Sequence, residues 1–371
     1  MSDCDVFNYP VLMRTICLCT LLCLGTDASL AAPQSKPASH SSEKPRSKRQ
    51  LPFTNTGPFA ATDTIDVSGE PDADARDCLE DTGWDPKKFE VQLDRESKSG
   101  DCMLRFPSPR PAGNEKNDTV CVEWYMARTS GGKLKDNALP VVVVHELGSN
   151  MAAGKAVATG LSRIGLHAFM VQLPSYGERR VRRRAHPAEM LKPMQQAIAD
   201  VRRTRDAIVR LPTVDTRHIA LQGTSLGGII AASSGSLDDG FDSVHLLLAG
   251  GDLFNLIKTG KRDTAYVRAS LERAGVTDEQ LKQLTAPIEP NRIAHRLPRG
   301  RTWLYSGKND TVIPKANANA LATAAKIEKS HHKWYNVNHY SGMVMLPWIL
   351  ADVGANIRKL TEKPKTDSGL R

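Results

Sequence analysis

From Phe89 to Leu360 the chain switches between two hydrophobic periods. Phe89-Glu90-Val91-Gln92-Leu93, Met103-Leu104-Arg105-Phe106 and Val120-Cys121-Val122-Glu123-Trp124 alternate apolar and polar positions, the spacing of half-buried strands. Later runs are apolar nearly throughout: Val141-Val142-Val143-Val144, Ala168-Phe169-Met170-Val171 and Val244-His245-Leu246-Leu247-Leu248. Strands buried on both faces of a parallel sheet read this way. Between the strands lie stripes at helical spacing: Val157, Leu161 and Ile164; Met194, Ile198, Val201 and Ile208; Leu346, Leu350, Val353, Ile357 and Leu360. Such stripes suit helices packed on a sheet. The alternation predicts an α/β fold, with opening antiparallel strands and then a mostly parallel, doubly wound sheet with helices on both faces. The stretch Leu253 to Arg296 is longer than one crossover helix needs and predicts a small helical cap, placed at 251–296.

The chemistry gathers where strand-like runs end. Gly223-Thr224-Ser225-Leu226-Gly227 follows a short apolar run. A G-x-S-x-G pentapeptide between a strand and a helix is a nucleophile elbow, and its glycines leave room for a strained turn. Ser225 is therefore the candidate nucleophile. The run Arg301 to Gly307 leads to Asp310, and Lys333 to Val337 leads to His339. Ligands of open parallel sheets collect at the carboxyl ends of strands, where all three residues fall. Asp252, which follows Leu248-Ala249-Gly250-Gly251, is a rival acid. His145 ends its strand and reads as structural, whereas His331 and His332 lie at the wrong end of theirs and are expected to be exposed.

The order serine, acid, histidine differs between families of serine hydrolases, and Ser225, Asp310, His339 follows that of the α/β-hydrolases. On these residues the core resembles the α/β-hydrolase superfamily. Val141 to Gly148, with Glu146 where many relatives carry glycine, resembles its dienelactone-hydrolase-like branch. The resemblance implies an oxyanion hole made by the backbone N–H groups of Leu147 and Leu226. Glu146 would then hydrogen-bond near the nucleophile, pair with an arginine or sit on the surface. That branch is known for a cysteine nucleophile; Ser225 departs from it and shifts the expectation from lactones to general carboxylic esters.

Length and composition add the surroundings. A chain of 371 residues with a polar start reads as one large domain at 85–371 behind a tail. Met13-Arg14 precedes the apolar run Thr15 to Leu24, too short to span a bilayer, and Ser29-Leu30-Ala31 offers a cleavage site. Residues 1–31 thus read as a signal peptide, with translation starting at Met1 or Met13, and imply a secreted or periplasmic protein without a membrane span after its removal. The Pro-, Ser-, Lys- and Arg-rich stretch 33–50 cannot bury enough surface to order itself, so a flexible tether is expected at 32–84. Four of the seven cysteines precede it. Cys78, Cys102 and Cys121 allow one disulfide and a free thiol, or buried free thiols. Asn117-Asp118-Thr119 and Asn309-Asp310-Thr311 are formal glycosylation acceptors, the second obstructing the proposed site if used.

The net charge of +9 is densest at Arg179, Arg180, Arg182, Arg183 and Arg184, a solvated loop or a contact for an anionic partner. Nucleic acid is not expected, because no aromatic residues interleave with this charge. No His, Cys or Asp cluster has metal-ligand spacing and no phosphate loop is present, so neither metal nor cofactor is expected. The sequence therefore predicts a secreted serine hydrolase cleaving small-molecule or carbohydrate esters through an acyl-enzyme on Ser225. A peptidase or polysaccharide deacetylase using the same residues, and a non-catalytic binding protein of this fold, are the alternatives.

Overall fold

The computed structural model describes residues 53–181 and 192–361. The expected signal peptide lies outside them, as do Arg182, Arg183 and Arg184. Among the described residues ten strands form one sheet. In chain order these are β1 (Phe59–Thr62), β2 (Lys88–Asp94), β3 (Cys102–Pro107), β4 (Thr119–Tyr125), β5 (Pro140–Val144), β6 (His167–Gln172), β7 (Ala220–Thr224), β8 (Ser243–Leu247), β9 (Thr302–Gly307) and β10 (His332–Tyr335). Their spatial order is β1-β2-β3-β4-β6-β5-β7-β8-β9-β10. Pairings from β1 to β4, and of β4 with β6, are antiparallel; the remainder are parallel. The expected half-burial of the antiparallel strands holds for β2 alone, which alternates exposed and buried residues. β3 and β4 are mostly buried because neighbours cover both their faces, and β5 to β9 are buried at every position.

The described helices of seven or more residues are α1 (Ala73–Thr82), α2 (Ala152–Arg163), α3 (Lys192–Ile208), α4 (Leu226–Gly235), α5 (Leu253–Thr259), α6 (Asp263–Arg273), α7 (Asp278–Thr285), α8 (Lys315–Ala324) and α9 (Leu346–Lys359). The stripes of α2 and α9 cover one sheet face, where Val157, Leu161, Leu350, Val353 and Ile357 pack with Val141, Val143, Ala168 and Met170. The segment between β8 and β9 is helical, as expected. α5, α6 and α7 enclose a small apolar cluster of their own, Ile257, Leu271 and Leu281, and a Thr277–Gln280 capping box opens α7.

Three further expectations need correction. The tether does not extend to residue 84, because β1 and α1 belong to the fold. Polar residues of this segment meet buried arginines of α3: Arg203 is paired with Asp63, while Thr64 donates to Asp206, itself paired with Arg202. Arg202 also bonds Asp238 through Nε at 2.6 Å and Nη2 at 2.7 Å. Composition alone cannot show that a polar segment has charged partners waiting inside. Arg179, expected on a basic surface, is wholly buried: it pairs with Asp200 at 2.7 Å and donates to the carbonyls of Asn117 and Gln172. His331 and His332 are half-buried rather than exposed; His331 stacks on Trp303, and His332 is 3.1 Å from the Ser306 hydroxyl. Cys78, Cys102 and Cys121 are buried free thiols. Asn117 is also buried, its amide bonded to Gln196, which leaves no place for a glycan. Among the described residues no helix is long and apolar enough to cross a membrane.

Removing one partner of a buried ion pair leaves the other charge uncompensated, at about 3–5 kcal/mol. Asp200→Ala should lose about that much in denaturant unfolding. Lys98→Ala, whose pair with Glu178 is on the surface, should lose at most about 1 kcal/mol. Similar losses for both would contradict the burial argument. Acid should also act through three histidines. Burial pushes His145 and His167 down to about 4 and His245 down to about 3. Below about pH 6.5 the unfolded chain binds protons that the folded chain cannot. Stability is then full above this pH and is lost on acidification towards about pH 4. Thermal melts should give a lower Tm at about pH 5 than at about pH 7.5; an unchanged Tm would contradict this.

Candidate active site

Ser225 stands between β7 and α4 with φ 54° and ψ −118°, a backbone conformation that a residue with a Cβ adopts only under constraint. The constraints are visible on each side. The Ser225 N–H donates to the Leu247 carbonyl of β8 at 2.8 Å. A Cβ on Gly223 would lie 2.1 Å from the Gly227 carbonyl oxygen, and one on Gly227 would lie 2.3 Å from that of Val144. Glycine is thus required at both positions, and the serine is held over the carboxyl edge of the sheet.

The structure brings His339 and Asp310 to this serine. Ser225 Oγ is 2.9 Å from His339 Nε2, and His339 Nδ1 is 2.7 Å from Asp310 Oδ2. With Asp310 accepting from Nδ1–H, the lone pair of Nε2 faces the serine hydroxyl. The other carboxylate oxygen, Asp310 Oδ1, accepts from the N–H groups of Val312 at 2.8 Å and Ile313 at 2.9 Å. Two backbone bonds of this kind fix the orientation of the carboxylate. The loops after β9 and β10 are tied together, since Lys308 and Asn309 N–H donate to the carbonyls of Tyr335 and Val337. Around His339, Asn338 Oδ1 accepts from the amides of Tyr340 and Ser341, and Ser341 Oγ accepts from the Asn338 amide. Ser225, Asp310 and His339 are each less than a tenth exposed.

The other candidates stand apart from this chain of bonds. Asp252 caps α5, accepting from the Asn255 side-chain amide at 2.7 Å. Glu146 takes neither of its expected partners; its oxygens accept from the amides of Ala153 at 3.0 Å and Gly154 at 2.9 Å. A carboxylate there complements the N-terminus of α2. His145 is structural, its Nδ1 bonded to the Glu146 carbonyl and its Nε2 accepting from Leu173 N–H. Leu226 opens α4, and Leu147 lies on the loop after β5 with its side chain half exposed. The bracing amides of Val312 and Ile313 escaped sequence reasoning, although an aspartate two residues before an amide that it binds is a common turn device. Among the described residues no group of three or more His, Cys, Asp or Glu side chains is placed to hold a metal ion.

Solved structures share this arrangement of strands. An acetyl xylan esterase from Paenibacillus sp. R4 aligns with a TM-score of 0.52 and 15% identity, over 77% of this chain and 96% of the esterase. Acetyl xylan esterase 1 from Thermoanaerobacterium sp. JW/SL YS485 aligns with a TM-score of 0.51 and 15% identity, over 75% of this chain and 92% of that one. This protein has the α/β-hydrolase fold. A puromycin-hydrolyzing peptidase of Mycobacterium tuberculosis also aligns, at a TM-score of 0.52 and 14% identity, over 75% of this chain but only 46% of the peptidase. The sequence matches no family model and no curated protein. In this fold the strand order places Ser225 after β7, near the middle of the parallel run β6-β5-β7-β8-β9-β10.

Gly227→Ala tests the elbow. Its Cβ meets two backbone carbonyls, those of Val144 and His145, and neither can rotate away. Overpacking of this kind costs about 1–3 kcal/mol, and thermal melts should show the loss. Gly131→Ala, whose Cβ would have no contact closer than 3.9 Å, should change stability by no more than about 0.5 kcal/mol. Equal behaviour of the two variants would contradict the steric account.

Proposed function

We propose that this protein is a serine hydrolase that cleaves carboxylic esters through an acyl-enzyme on Ser225. The observation that carries the reading is the unbroken hydrogen-bonded path from Ser225 Oγ through the His339 imidazole to Asp310. As Oγ attacks the acyl carbonyl carbon, His339 Nε2 takes its proton. The imidazolium that forms is stabilised by Asp310, whose other oxygen is held by two backbone donors. His339 then gives the proton to the departing alkoxide, the C–O bond of the ester breaks, and the acyl group remains on Oγ. Water, deprotonated by the same nitrogen, releases the acid and restores the serine. The negative oxygen of each tetrahedral intermediate would accept from the N–H groups of Leu226 and Leu147, which the chain order of the elbow and the loop after β5 favour.

Large apolar side chains support an ester with apolar parts. Leu147, Val344 and Trp348 are each about half exposed, and all lie on the loops that follow β5 and β10 or at the start of α9. A small esterase is favoured over a peptidase because the chain spans most of each acetyl xylan esterase but less than half of the peptidase. Acetylated polysaccharide is therefore the second substrate to try after simple esters. The binding-protein alternative loses one of its five arginines, since Arg179 is buried against Asp200. Export rests on the run Thr15 to Leu24 and the Ser29-Leu30-Ala31 site.

Purified protein should hydrolyse short-chain aryl acetates. Ser225→Ala should lower kcat by about 10⁶, to the background rate. Asp310→Asn, which keeps the shape and loses the charge, should lower it by about 10⁴. Comparing aryl acetate, a lactone, acetylated xylan and a peptide amide would rank the substrate classes. Equal turnover by wild type and Ser225→Ala would refute the proposal.

A further inference from the structure

The helical segment between β8 and β9 touches both loops of the site through four consecutive residues. Lys261 N–H donates to the Thr311 carbonyl at 2.8 Å, and the Thr264 hydroxyl donates to the Val312 carbonyl at 3.1 Å. Both acceptors lie beside Asp310. Between them, Arg262 and Asp263 reach the neighbour of His339. The Arg262 guanidinium lies over the Tyr340 ring, 5.2 Å from its centroid, and the Tyr340 hydroxyl donates to Asp263 Oδ2 at 3.1 Å. The Tyr340 ring in turn meets the His339 imidazole edge-on, with centroids 5.7 Å apart and planes at 84°. Arg262 adopts φ 55° and ψ −115°, a region that side chains with a Cβ avoid unless their surroundings impose it.

Tyr340 is thus half exposed yet held at its face, at its hydroxyl and against the histidine. Asp310 fixes only one edge of the imidazole. Bonds at its two nitrogens, to Asp310 and to Ser225, still let the ring turn about the line that joins them, and a contact on its edge is what limits that turn. We propose that Tyr340 is a positioning residue: locked by Arg262 and Asp263, it holds the His339 ring in the orientation that serves Ser225, so that the helical segment sets turnover from outside the reacting atoms. Its effect on turnover rests on the ester-hydrolase reading; its effect on the imidazole does not.

Tyr340→Ala and Tyr340→Phe separate the ring from the hydroxyl. Misplacing a reacting group by about 1 Å costs about 100-fold in rate. Tyr340→Ala should therefore lower kcat on an aryl acetate by about 30- to 100-fold with KM nearly unchanged. Tyr340→Phe, which keeps the ring beneath Arg262, should stay within about threefold of wild type. A readout without turnover is the downfield proton resonance of His339 Nδ1–H, assigned by its loss in His339→Gln. It should be sharp in wild type and Tyr340→Phe, and broadened or lost in Tyr340→Ala. If Tyr340→Ala does not fold, Arg262→Ala is read in the same two ways, with a smaller loss of kcat and a broadened resonance expected. An unchanged resonance with unchanged kcat, a rise in KM alone, or the absence of the resonance from wild type would each overturn the proposal. A wild type without esterase activity but with the resonance lost in Tyr340→Ala would refute the hydrolase reading and leave the positioning role standing.

Discussion

No Cβ fits between the end of β5 and the first turn of α4. Gly227 lies so close to the carbonyls of Val144 and His145 that a methyl group would sit at 2.3–2.4 Å from their oxygens. On the other side of the turn, Gly223 faces the Gly227 carbonyl just as closely. This contact presses the start of α4 onto the central strands and forces Ser225 into its left-handed conformation. The serine therefore projects from the sheet edge instead of lying within the strand or the helix. The positions of His339 and Asp310 have meaning only because the serine is held at that height. Strain of this sort persists where surrounding packing over-determines it, and here β5, β7 and β8 all contribute.

Packing of a second kind closes the other face of the sheet. α3 is buried almost all round, and its charged residues survive burial by pairing: Arg202 with Asp206 and Asp238, Arg203 with Asp63, and Asp200 with Arg179. Such pairs contribute little net stability relative to an apolar core, yet breaking one is costly. They do specify position, because each guanidinium donates through a planar fork that suits only correctly spaced oxygens. Asp63 and Thr64 read that pattern, which is how a polar segment ahead of β2 comes to lie on α3.

The parallel sheet was legible because its buried strands need apolar runs, and its helices need stripes, whatever the fold's function. Ser225, Asp310 and His339 were legible for a different reason: the elbow requires glycine at fixed offsets, and the acid and histidine must follow strand ends. What escaped depends on partners far away in sequence. Arg179 looked like part of a basic loop because its counter-charge, Asp200, is on the next helix. Residues 53–84 looked like a tether because their partners are some 140 positions further on, as with Asp63 and Arg203. Glu146 was read as a partner of the Ser225 region or of an arginine, or as a surface carboxylate, while the amides it binds begin the helix after it. Tyr340 carried no signal of its own, since its significance comes from Arg262 and Asp263, nearly eighty residues earlier.

The central claim is that His339 makes Ser225 a nucleophile. The most direct measurement is the intact mass of the protein after exposure to a fluorophosphonate, with the modified peptide mapped by fragmentation. One adduct on Ser225 in wild type, and almost none in His339→Ala under the same conditions, is the predicted result. Labelling of wild type at another residue, or labelling of Ser225 at the same rate without His339, would contradict the account.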